Sequence, residues 1–151
     1  YRVSEAPPGA GESDTMVKVR ARSLEKLQVL LQGEHHSILA DEPPEAGDGL
    51  GPDPYELLLA SLGACTAMTL RLYAQRKGWD LREVRAELVH ERVHASDCDD
   101  CEQKEGYIER IRVTLAFEGD LDDEQRARLR EIADRCPVRR TLAAAPKVVH
   151  V

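Results

Sequence analysis

The order of elements legible in this 151-residue sequence predicts an α+β fold. Short alternating runs come first, one long helical stretch follows, and strand, strand, helix and strand signals complete the chain, an order unlike regular βαβ alternation. The helical stretch, Gly51 to Lys77, is the centre of the chain: it carries no charge from Leu57 to Leu70 and holds Cys65 in its middle. A helix apolar on all faces is expected to be buried on all sides. The uncharged run is shorter than the roughly 20 residues of a membrane span, so the expected burial is in protein.

Residues 1–14, with prolines, glycines and little apolar content, are expected to be a flexible tail, and residues 15–151 a single domain. From Met16, Val17, Val19 and Ala21 alternate with Lys18, Arg20 and Arg22 as in a half-buried strand. Leu27 to Gln32 and Ser37 to Ala40 read as two more strands of an antiparallel meander, with Gly33-Glu34 and His35-His36 at the turn. Asp41 to Gly51 is a loop. Asp53 then suits an N-cap, Pro54 the first helical position and Glu56 the third position of a capping box. Arg76 and Lys77 complement the helix C-terminus, Gly78 suits a left-handed cap, and Trp79 supplies the apolar residue that follows one.

Val84, Ala86 and Leu88 start a strand running to about Val93, and His90 continues its buried face. His94 to Gly106 is a polar, acidic excursion carrying Cys98 and Cys101. Tyr107 to Phe117 is a strand with Ile111, Val113 and Leu115 on one face. Asp122 and Gln125 open a helix through Leu129, Ile132 and Ala133. It must end by Cys136, because Pro137 disfavours helical geometry in the residue before it. Pro137 can open a new short helix with Cys136 at its N-cap, and Lys147 to Val151 reads as a last strand.

The charged fraction of 32% and hydrophobic fraction of 42% are those of a soluble globular protein. A net charge of −7 argues against nucleic acid or an anionic membrane as the main partner. The chain opens with no positive-then-apolar leader, so a cytoplasmic, reducing setting is expected. There its four cysteines serve as metal ligands or redox groups rather than staples. A thiolate is favoured by helix N-termini and nearby cations. Cys136 meets that description, with Arg135, Arg139 and Arg140 beside it. Cys65 does not, since apolar surroundings raise a thiol's pKa, and from its residues alone it reads as a packed core cysteine.

Pro54-Tyr-Glu-Leu-Leu followed by Gly63-Ala-Cys65, with Cys136-Pro137-Val138 about seventy residues on, resembles the OsmC/Ohr family. Ala40-Asp-Glu-Pro43 and Asp97-Cys-x-x-Cys-Glu102 are similar to one branch of it. The resemblance implies an intertwined homodimer whose antiparallel sheets wrap two long central helices. It also implies a peroxiredoxin-like, thiol-dependent reductase of organic hydroperoxides that needs no cofactor and is regenerated by a dihydrolipoamide-like dithiol. By it Cys65 is the peroxidatic thiolate and Cys136 the resolving thiol. Members of the Ohr type supply an activating Arg from a Gly-Gly-Arg loop, absent here, and Arg22 is the candidate by chain order. The Glu that steers that Arg corresponds to Tyr55, and Glu56, one residue on, is its nearest counterpart.

His90, His94, Cys98 and Cys101 form an H-x3-H-x3-C-x2-C pattern that could supply four zinc ligands. Their acidic neighbours disfavour free thiolates, whereas a metal would bind them directly. The alternatives to a peroxidase are a non-enzymatic member of the same fold that binds zinc or a small ligand, and a disulfide oxidoreductase using Cys98 and Cys101.

Overall fold

The computed structural model describes residues 17–97 and 105–150. The chain divides into two compact units, Tyr1–Asp53 and Pro54–Val151. The first is an antiparallel meander of β1 (Arg20–Ser23), β2 (Val29–Gln32) and β3 (Ser37–Ala40). β1 is shorter than the alternation from Met16 suggests. Its pairing begins at Arg20 opposite Gln32, where β2 ends and Gly33 turns the chain, so among the described residues no strand lies against Val17 and Val19, which are exposed. The loop after β3 is organised by Asp41, which is buried. Its carboxylate accepts the N–H groups of Glu42, Asp48 and Leu50 at 2.9, 3.1 and 3.2 Å.

The second unit is built on α1 (Pro54–Lys77), which begins and ends where its sequence signals place it. Gly78 is left-handed at φ 67°. The Trp79 N–H returns to the Ala74 carbonyl at 3.0 Å, the six-to-one bond of a Schellman cap. By length and composition α1 as a whole is apolar enough to span a membrane, although its uncharged run alone is short of one. It does not bury all its faces within the chain. Leu62, Thr66, Leu70 and Ala74, one per turn, form a single buried stripe. Tyr55, Met68 (64% exposed) and Leu72 (53%) face outward.

The stripe packs on a long two-stranded ribbon, β4 (Asp80–His94) with β5 (Tyr107–Asp120). A bulge between Leu81 and Glu83 sets the register, after which Val84, Ala86, Leu88 and His90 lie opposite Phe117, Leu115, Val113 and Ile111. Gly119, φ 142°, is pressed against this bulge: a Cβ there would lie 1.7 Å from the Asp80 carbonyl oxygen. Gly119→Ala is therefore expected to destabilise the unit by about 1–3 kcal/mol through backbone strain, read as a lower midpoint in urea with an unchanged slope.

α2 (Asp123–Ala133) opens with the expected capping box. The Asp122 carboxylate accepts the Gln125 N–H at 2.7 Å, and the Gln125 side chain accepts the Asp122 N–H at 3.1 Å. Arg126 pins the helix to the end of β5 by donating to the carbonyls of Phe117, Gly119 and Leu121. Leu129, Ile132 and Ala133 then meet Leu70, Ala74, Leu81 and Phe117 in the core, with Tyr73 and Trp79 edge to face at its margin. After α2 comes α3 (Pro137–Ala143), which also packs on α1. Residues 145–150 form no strand, contrary to the reading of Lys147 to Val151, and Val148 and Val149 are exposed. An apolar run becomes a strand only where a neighbouring edge takes its backbone hydrogen bonds, and no described strand pairs with it.

Candidate functional site

α1 and α3 bring two sulfurs together. Cys65 lies on α1 beside the buried stripe. Cys136 is the N-cap of α3, in extended geometry (ψ 125°), as suits a residue before proline. The turn out of α2 fixes it there. The Cys136 N–H donates to the Ala133 carbonyl at 3.2 Å, and the Cys136 carbonyl accepts from the Arg140 N–H at 3.0 Å. The two cysteines, about seventy residues apart in sequence, share a side-chain hydrogen bond. The exposure of Cys65 departs from the sequence-based expectation. Cys136 is wholly buried, whereas Cys65, read as the helix's interior residue, is half-buried.

The surroundings divide the pair electrostatically. Burial pushes the Cys65 thiol above its ordinary 9.0, and donating to Cys136 adds to the shift, against the opposing Val138 N–H. Thr69 helps Cys65 little, since its one proton is already given to the Cys65 carbonyl at 2.8 Å. Burial also resists ionisation of Cys136. There, however, the Cys65 thiol, the Arg139 N–H, the Thr66 hydroxyl and the Val138 N–H all bond to the sulfur, and together they bring it below 9.0. The two groups titrate as one unit: the first negative charge rests on Cys136, with the remaining proton on Cys65.

The sign of the pH dependence follows. With Cys98 and Cys101 changed to Ser, the reduced protein should show two steps in its ultraviolet thiolate band, one below 9.0 and one above. Cys65→Ala removes a donor to the Cys136 thiolate and should move the lower step up by about one unit.

Beside the pair, Leu62, Thr66, Ile111, Val113, Ala133, Asp134 and Arg139 line a cavity of about 200 Å³. It is apolar except for Thr66, itself buried, and for Asp134 and Arg139, whose side chains form an ion pair at 3.0 Å.

Residues 47–151 match the family model described as OsmC-like protein. The chain belongs to the OsmC-like protein family. Its fold agrees with solved structures at low sequence identity. An OsmC-like protein from Mycoplasma pneumoniae is 19% identical, with a TM-score of 0.70 over 87% of this chain and 89% of that one. An organic hydroperoxide resistance protein OsmC from Legionella pneumophila is 15% identical, with a TM-score of 0.62 over 87% and 91%. An OsmC-like protein of unknown function from Vibrio cholerae is 13% identical, with a TM-score of 0.63 over 84% and 93%. No curated protein matches the chain significantly.

In this OsmC-like chain the other residues singled out from sequence are on several elements. Glu56 is exposed in the first turn of α1, two and a half turns before Cys65. At the helical rise per residue that separation is about 13 Å along the axis. Arg22 is exposed on β1 of the first unit, opposite Leu30. His90 stacks on Tyr55 with ring centroids 4.5 Å apart and bonds to Glu109 at 2.8 Å, while His94 shares a hydrogen bond with the Ser96 hydroxyl at 2.7 Å. Cys98 and Cys101 lie outside the described residues, and among the described residues no group of His, Cys, Asp and Glu is gathered as a metal site. Thr66 and Asp134 escaped the sequence reading: Thr66 meets the Cys136 sulfur only through the packing of α1 on α3, and Asp134 pairs with Arg139, which the sequence shows only as one of the cations beside Cys136.

Proposed function

We propose that this OsmC-like chain is a thiol-dependent peroxidase that reduces organic hydroperoxides through Cys65 and a Cys65–Cys136 disulfide. The observation that carries the reading is the hydrogen bond between these two thiols, delivered from α1 and from the turn before α3. Exposure supports the roles: Cys65 is partly exposed, and Cys136 is buried.

The proton lies on Cys65 and the charge on Cys136, so passing that proton along their hydrogen bond generates the Cys65 thiolate. The thiolate attacks the peroxide; an S–O bond forms, the O–O bond breaks, and the alkoxide leaves as the alcohol after taking a proton. Cys65 is then a sulfenic acid. The Cys136 sulfur attacks it, the S–S bond forms, and hydroxide leaves as water. A dithiol of the dihydrolipoamide kind restores both thiols by two exchange steps and is itself oxidised to a disulfide. A reducing cytoplasm suits this cycle.

The same reading makes the protein a homodimer. The outward face of α1 carries Met68 and Leu72. Beside it Gly63, Ala64, Ala67, Val84, Ala86 and Leu88 line an open apolar groove of about 420 Å³. A second copy of the helix, related by a two-fold axis, covers both faces with one self-complementary contact. The OsmC relative from Legionella pneumophila, named for organic hydroperoxide resistance, supports the substrate class. Consumption of cumene hydroperoxide by the reduced protein, with a dithiol present, tests the activity; no consumption above the dithiol's own rate would refute it.

A further inference from the structure

Thr66 is the polar member of the buried stripe of α1 and is 3% exposed. A hydroxyl taken out of water is costly unless it finds a hydrogen-bond partner, and a valine would fill the same space without that cost. Leu62, Ile111, Val113 and Ala133, which line the cavity with it, offer no polar side chain. The Thr66 hydroxyl bonds instead to the Cys136 sulfur. Thr69, three residues on, gives its proton to the Cys65 carbonyl and not to a neighbouring element. A helix turns about 100° per residue, so Cys65 and Thr66, consecutive on α1, reach the Cys136 sulfur from two directions.

These two donors differ in how long they last. The Cys65 S–H proton is spent when Cys65 becomes a thiolate and then a sulfenic acid. The proton that Cys136 receives leaves with the alkoxide, and Cys136 must be a thiolate again to attack the Cys65 sulfur. In that attack the S–S bond forms, the S–O bond breaks, and the departing hydroxide takes a proton to become water. At that moment the donors left to Cys136 are the Thr66 hydroxyl and the N–H groups of Val138 and Arg139. The charged side chains nearby are directed elsewhere or exposed. Arg139 is paired with Asp134 at 3.0 Å, Arg140 lines a separate depression with Pro137 and Thr141, and Arg135 is exposed on the turn.

Resting on the reading of Cys65 as the attacking thiol and Cys136 as the resolving one, we propose that Thr66 is a positioning residue for resolution, its hydroxyl holding the Cys136 thiolate after Cys65 has spent its own proton. The backbone donors at Val138 and Arg139 are common to any sequence at those positions, so Thr66 is the side chain through which this step is set.

The first measurement uses the full chain with Cys65→Ala, Cys98→Ser and Cys101→Ser, which leaves Cys136 as its one thiol. Thr66→Val should raise the midpoint of the ultraviolet thiolate band by about one pH unit. Thr66→Ala, a second variant without the hydroxyl, should shift it in the same direction. Thr66→Ser, which keeps the hydroxyl, and Thr69→Val should leave it near the parent value. Circular dichroism checks the fold of each variant. No peroxide is used, so the titration stands whether or not the protein is a peroxidase.

The second measurement restores Cys65 and follows the lifetime of its sulfenic acid after one equivalent of cumene hydroperoxide. One pH unit below the single-thiol midpoint, Thr66→Val should lengthen that lifetime about threefold: thiolate falls about tenfold, while each thiolate of higher pKa is about three times as nucleophilic. Well above the midpoint the lifetime should not lengthen, whereas a hydroxyl that merely packs would slow closure at every pH. Equal midpoints in Thr66→Val and the parent, a shift in Thr66→Ser as large as that in Thr66→Val, a lifetime unchanged below the midpoint, or one lengthened equally at every pH, each overturn the proposal.

Discussion

Cys65→Ser should lower hydroperoxide reduction by roughly a thousandfold or more, because it deletes the only atom on which the covalent step is built. A hydroxyl in its place has far too high a pKa to ionise, and it cannot carry the sulfenic state. The fold should survive, since the change is small and Cys65 is half-buried beside the core stripe rather than in it. Cys136→Ser should behave differently. Cys65 can still attack, so one equivalent of hydroperoxide per chain should be consumed. Further turnover should be slow, as the reductant must then attack the sulfenic acid directly. The sulfenic acid, short-lived in the parent, should persist in Cys136→Ser long enough to be trapped by dimedone. Full activity in Cys65→Ser, or equal multiple-turnover rates in Cys136→Ser and the parent, would sink the assignment of roles. The contrast between the variants matters more than either loss, because it separates attack from resolution.

Leu70→Ala should cost about 2–5 kcal/mol of stability, measured by denaturant unfolding of the reduced protein. Leu70 is fully buried where α1 meets Leu129 and Ile132 of α2 and Phe117 of β5, so truncation leaves a void bounded by three elements. Fixed backbones on all sides limit the collapse that would otherwise soften the loss. The same helix supplies an internal contrast. Met68, two residues earlier, is exposed within the chain. Met68→Ala should cost under about 0.5 kcal/mol if that face meets only water. In the proposed homodimer it costs more, and the excess grows with the share of protein assembled.

The ends of α1 were readable because each is set by local chemistry: Pro54 cannot sit deeper in a helix, and Gly78 adopts the left-handed turn that stops one. The Asp122–Gln125 box was readable for the same reason. The covered face of α1 was not. Leu57 to Leu70 is apolar all round, so no periodicity distinguishes Leu62, Thr66 and Leu70 from Ala64 and Met68; the ribbon, α2 and α3 make that choice. Val17, Val148 and Val149 show the opposite failure, since their local pattern suggests strands that the described sheets do not extend to receive. At the site, both cysteines were visible as residue types, and the N-cap position of Cys136 followed from Pro137. Which sulfur is the more enclosed depended on how α3 closes over α1, and the ion pair of Asp134 with Arg139 on the turn of the chain between α2 and α3.

The central claim is that Cys65 and Cys136 form one redox pair, and intact-mass and peptide analysis of the reduced protein after one equivalent of cumene hydroperoxide tests it most directly. The predicted result is loss of two hydrogen atoms per chain and a linked peptide joining Cys65 to Cys136, reversed by a dithiol. An unchanged mass, oxygen added at Cys65 without any link, or a link confined to Cys98 and Cys101 would contradict it.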